Sequence, residues 1–91
     1  MSKRKKAEGV ETIICHGRIA GLFKGFRNHD TIFKFQGGSS WRQDEYLYEY
    51  HYRDSPKATN TKVVTTKDRK EILYLEVDGI ATPVEVKGAY V

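Results

Sequence analysis

Four tyrosines, Tyr46, Tyr48, Tyr50 and Tyr52, fall on every second residue of the stretch WRQDEYLYEYHY at 41–52. Aromatic rings at that spacing suit stacking, on nucleic-acid bases or on a proline-rich peptide. Basic residues stand on both sides of them. Arg18, Lys24, Arg27, Lys34 and Arg42 lie between positions 16 and 42 with Asp30 as the sole acid. A second basic stretch runs from Lys57 to Lys70, where Asp68 is the sole acid. On one side of a fold, the two stretches would form a strip able to track phosphates. Balanced charge on a solvated surface is the ordinary alternative. The candidate binding surface is therefore Trp41, Tyr46, Tyr48, Tyr50, Tyr52, Arg18, Lys24, Arg27 and Arg42.

Other reactive residue types form no constellation. Cys15 and His16 are adjacent, so on a strand they face opposite ways, and His29 and His51 are distant in sequence. No Cys-x-x-Cys or His-x-x-x-His spacing exists, which leaves no basis for a zinc site. Cys15 reads as a small buried hydrophobe rather than a nucleophile. Asp44, Glu45 and Glu49 are the residue types of an acid–base pair, but nothing near them supplies an oxyanion site. Neither the glycines at 17–25 nor Gly37-Gly38 lead into the Gly-Lys-Ser/Thr ending of a phosphate loop. No catalytic, cofactor or metal residue is expected, and the chain is not expected to be an enzyme.

These side chains need elements to hold them. Tyrosines two apart line one face of a strand, whereas a helix would scatter them around its axis. A long strand over 41–52 is expected, with Leu47, Glu49, His51 and Arg53 on its other face. Two arrangements of the tyrosines are open. In the first, which is the expected one, they lie in the core or half in it, with hydroxyls reaching the rim. The opposite face then looks outward. In the second they form an exposed platform.

Upstream, Thr31 to Phe35 reads as a short strand with Thr31, Phe33 and Phe35 on one face. The turn Gln36-Gly37-Gly38-Ser39-Ser40 should join it to the tyrosine strand as a hairpin. Residues 11–26 carry Gly17, Gly21 and Gly25, each costing a helix about 1 kcal/mol, so a bent strand with bulges is preferred to a short helix. Arg27-Asn28-His29-Asp30 is a turn. Pro56 ends the tyrosine strand, and a polar link at 57–61 leads to a strand at 62–66. Lys67 to Lys70 is a charged turn. Ile72 to Val77 is a strand with Leu73, Leu75 and Val77 inward, and Asp78-Gly79 is a tight turn. Val84 and Val86 share a face of the last strand, which Pro83 delays or confines to an edge.

Five or six short strands in 91 residues make one domain, all-β and antiparallel. A small, partly open barrel best protects its edges, first of the Src-homology-3-like kind and second of the oligonucleotide-binding kind. Composition agrees: 38% hydrophobic and 31% charged, with no run near the ~20 apolar residues of a membrane helix. Lys3, Arg4, Lys5 and Lys6 account for the net charge of +4, because the remaining Lys and Arg balance the 12 Asp and Glu. Residues 1–9 are expected to be a disordered basic tail before a domain at 10–91. A single cysteine allows no internal disulfide and fits a cytoplasmic protein.

The middle of the chain resembles a family of small bacterial β-domain proteins of unknown function. The shared pattern runs through Gly21, Phe23, Gly25 and Phe26, then Ile32-Phe33-Lys34-Phe35 and Gly37-Gly38. It continues with Trp41-Arg42-Gln43, the four alternating tyrosines and Pro56, and its ending matches LEVDG and VEVKG. It spans roughly residues 12–88. The resemblance implies a small Src-homology-3-like barrel and no particular activity. The expectation is a binding module without cofactor, most simply for protein–protein interaction, including a homodimer. Nucleic-acid binding through the basic tail, the basic strip and exposed aromatics is the alternative.

Overall fold

A computed structural model describes residues 6–89. They form eight β-strands and no helix. In chain order these are β1 (Gly9–Arg18), β2 (Leu22–Phe26), β3 (Ile32–Lys34), β4 (Ser40–Gln43), β5 (Glu49–Asp54), β6 (Lys57–Thr65), β7 (Glu71–Val77) and β8 (Val84–Gly88). Six of them form one sheet in the order β1-β6-β7-β8-β4-β3, and β2 and β5 form a separate two-stranded arm. Every ladder is antiparallel. The fold is all-β, and the sheets do not close into a barrel. The two ends of the large sheet meet at one point only, where Ile19 bridges Phe35 and the Gln36 N–H donates to the Arg18 carbonyl at 2.8 Å.

The core follows from strand alternation. Phe33 and Phe35 from β3 and its extension, Leu75 and Val77 from β7, and Val84 and Val86 from β8 face one interior. The arm docks on it through Phe23 and Phe26, whose rings lie 6.0 and 5.9 Å from Phe33. Burying each phenylalanine contributes about 1.5–3 kcal/mol. Asn60 on β6, between Cys15 and Leu75 in the ladder, is also fully buried, and its amide finds no partner among the described residues. That offsets about 1–3 kcal/mol of the gain.

Several expectations change. The stretch 41–52 is not one strand: β4 ends at Gln43 and β5 starts at Glu49, and each joins a different sheet. The tyrosines are not core residues, as detailed below. The polar link at 57–61 is the first half of β6, where Ala58 and Asn60 face the core. Pro83 does delay β8 by preceding it, but β8 lies between β7 and β4 rather than at an edge. The glycine-rich region is indeed bent strands: a register shift falls between Ile13 and Cys15 in β1, and another between Phe23 and Gly25 in β2. The hairpin across 36–40 forms as expected, with Phe33 opposite Trp41.

Of the tail, residues 1–5 lie outside the described residues. Lys6 to Glu8 run over the side of the sheet away from the core. The Ala7 N–H donates to the Tyr74 hydroxyl at 3.0 Å, and Lys6 bridges Glu11 and Glu76. Partial burial pulls the Lys6 pKa down, but bonds to both carboxylates outweigh it and hold the ammonium above its ordinary value.

Gly25 decides whether the arm can form. Its φ is +102°, and a Cβ there would overlap the Glu49 carbonyl oxygen and lie 2.7 Å from the His51 nitrogen. Gly25→Ala should therefore cost about 3 kcal/mol or more, combining left-handed strain with a backbone clash that cannot relax cheaply. A thermal melt reads this directly, and an unchanged Tm would show that β2 and β5 can separate freely.

Candidate nucleic-acid interface

The arm presents its tyrosines outward. On β5, Glu49 and His51 take the inner face: the His51 Nε2 lies 2.9 Å from the Glu49 Oε1, and the Thr82 hydroxyl donates to the Glu49 Oε2 at 2.9 Å. The His51 ring meets Phe26 edge-on at 6.1 Å. Alternation then forces Tyr50 and Tyr52 to solvent. Exposure runs from 57% at Tyr52 through 67% at Tyr50 and 76% at Tyr48 to 86% at Tyr46. This overturns the expected core placement. The face expected outward is inward instead, with Leu47, Glu49 and His51 half-buried and Arg53 exposed.

One buried side chain holds the segment between β4 and β5. Gln43 is fully buried. Its Nε2 donates to the carbonyls of Glu45 and Leu47, both at 2.9 Å, and its Oε1 accepts the Arg27 N–H at 3.0 Å. These bonds position Tyr46 and Tyr48 in a stretch that makes no ladder of its own. The turn at 28–31 is closed by the Asp30 N–H on the Asn28 Oδ1 and the Asn28 N–H on the Thr31 hydroxyl. It brings His29 against Tyr46, ring centroids 4.2 Å apart.

Two basic residues flank the tyrosines on the neighbouring strand. Gly25 pairs with Tyr50 and Phe26 with Glu49, where the ladder ends, and Arg27 follows directly, its N–H on the Gln43 Oε1. Lys24 stands across from the extra residue at His51–Tyr52. Behind β2, a groove of about 230 Å³ separates it from β3. Lys24, Arg27 and Lys34 line it together with Leu22 and Ile32, and no carboxylate does. None of the three cations forms an ion pair among the described residues.

The remaining candidates are dispersed. Trp41 faces inward, half-buried against the core, with its Nε1 donating to the Ser39 hydroxyl at 3.4 Å. Arg42 lies on the other side of β4, between Ile32 and Lys87 in the ladder. Arg18 reaches the Ser55 carbonyl at 2.9 Å, holding the turn after β5. The second basic stretch does not extend the groove by any ladder: β6 is remote from β3 in the sheet order, and Lys62 pairs with Glu71 at 3.2 Å. Lys34 belongs to the surface as a member of the expected basic strip, whereas His29 and Leu22 were not singled out for it from sequence. A usable signal was phase: Trp41 and Gln43 share the odd positions with Leu47, and the tyrosines hold the even ones. Among the described residues, no group of three His, Cys, Asp or Glu is placed to hold a metal ion.

Gln43→Ala should cost about 3 kcal/mol, since it removes three hydrogen bonds from partly buried backbone groups. Amide exchange should accelerate at 44–48 before it does in β7. Uniform exchange with an unchanged melt would show that the glutamine is dispensable.

Compared with known proteins, the chain matches no family model, no curated protein and no solved structure.

Proposed function

We propose that this chain is a non-enzymatic module that binds single-stranded nucleic acid across the outer face of the β2–β5 arm. The observation that carries the reading is the exposure of four tyrosines on and before β5, together with a groove along the paired strand β2 lined by no carboxylate and by three cations that form no ion pair among the described residues. On β5, where Tyr50 and Tyr52 are alternate strand residues, rings stand ~6.8 Å apart. That is about twice the 3.4 Å rise per nucleotide of a duplex strand, so bases reaching successive tyrosines must splay apart. A single strand does this readily, and a duplex does not. Each base–tyrosine stack contributes about 1–3 kcal/mol, and Lys24, Arg27 and Lys34 supply counter-charge for the phosphates between them.

The same reading takes the fold as a partly open barrel of the Src-homology-3-like kind, in a cytoplasmic protein. The bridge from Ile19 to Phe35, which brings the outer strands of the large sheet together, supports the first. The lone cysteine supports the second. A second reading, protein–protein interaction, has its own support in the long unpaired edge of β1.

Fluorescence anisotropy with labelled single- and double-stranded oligonucleotides, at low and at physiological salt, tests the proposal. Single strands should bind in preference to duplex. Tyr48→Ala and Tyr50→Ala should each weaken binding roughly fivefold to hundredfold. Their stability should change by no more than about 0.5 kcal/mol, because both rings are exposed. Lys24→Ala should flatten the salt dependence. Binding that survives loss of both tyrosines, or that needs only residues 1–5, would reject the site.

A further inference from the structure

We propose that the free edge of β1 pairs antiparallel with β1 of a second copy of this chain, about a two-fold axis between Ile13 and Ile14. This inference is independent of the nucleic-acid reading, which uses the separate β2–β5 arm and its groove against β3.

β1 is ten residues long and pairs with β6 on one side only. At its far end the Arg18 carbonyl is taken by Gln36, so the open stretch among the described residues runs from 10 to 17. Val10 is 66% exposed, Ile13 64% and Ile14 42%. The strand holds no proline or lysine to discourage pairing, and a long apolar edge of this kind is a site of association.

The register shift in β1 selects the pairing. Thr12 opposes Lys62 and Cys15 opposes Asn60, so Thr12 and Cys15 point to the same side of the sheet although three residues apart. Glu11, opposite Val63, and His16, opposite Thr59, likewise share the other side. Directly opposed residues in a ladder must point the same way. A two-fold between Ile13 and Ile14 meets that condition at the three pairs on either side of the axis. It sets Val10 opposite the partner's Gly17, Glu11 opposite the partner's His16, and Thr12 opposite the partner's Cys15. Without the extra residue, those pairs would face opposite sides. The two isoleucines then meet their counterparts at the axis, and Val10 stands opposite the partner's glycine.

Charge points to the same occupant. Within the open stretch Glu11, which also holds Lys6, precedes the centre and the imidazole of His16 follows it. Antiparallel self-pairing therefore sets the carboxylate of each copy against the imidazole of the other. A parallel pairing would place Glu11 on Glu11. Isologous contact of this kind closes on itself and ends at two chains.

Light scattering across a concentration series tests the pairing. The chain should run at twice its 10.5 kDa mass. Ile14→Lys should give a monomer with an unchanged melt. His16→Glu places two carboxylates opposite each other at both ends of the ladder and should weaken the dimer roughly fivefold to tenfold. Glu11→Arg should weaken it similarly, and the double variant should restore it. A chain that stays monomeric at the highest soluble concentration would overturn the proposal and leave the edge to a different strand. So would a dimer indifferent to Ile14→Lys, or a double variant no better than the singles.

Discussion

The hydrogen bonds of Gln43 are the constraint on which the remaining geometry rests. Three backbone groups from two separate segments end on one buried amide. Each would carry a desolvation cost without it. The amide supplies both donors and an acceptor, which no apolar residue does and which an ionised glutamate cannot, having no donors. Because the bonds run to the main chain at 27, 45 and 47, they tie the end of β2 to the path by which the chain leaves the large sheet. The path from β4 to β5 is held at this one residue.

Which face of β5 is solvated is a contest between two kinds of burial. Tyrosines inside would gain apolar area. Glu49 and His51 inside gain less area, but they satisfy one another and Thr82, and His51 packs on Phe26. At Gly25 the backbone conformation would aim a Cβ at the Glu49 carbonyl, so the pairing that sets this face needs glycine there. A phenylalanine core that is already filled by Phe23, Phe26, Phe33 and Phe35 has no space for four more rings. The tyrosines are displaced outward because the interior is complete without them.

The sequence was informative where alternation and turn chemistry act locally. The glycine turn at 37–38, the Asp78-Gly79 turn, and the inward Leu75, Val77, Val84 and Val86 were legible for that reason. A period of two identifies two faces but does not say which is inside, and this is why the tyrosines were misplaced. The first half of β6 was hidden because Thr59, Asn60 and Thr61 are polar although Asn60 and Thr61 are buried. The groove between β2 and β3 joins residues brought together by the turn at 28–31 and by the bridge at Ile19, and neither the spacing of the cations nor their number announces it. Strand order was likewise beyond reach, since β8 inserts between β7 and β4 through contacts distant along the chain.

The outward tyrosines also alter what unfolding releases. Heat-capacity change and denaturant sensitivity both scale with the surface newly wetted when the chain opens. Four of the protein's six tyrosines are already mostly wet in the native state. Their rings add little to either quantity. The aromatic content of 12% thus overstates the calorimetric weight of the fold. Its stability curve is flatter, and its transition in urea broader, than those of a domain of equal length with the same rings packed inside.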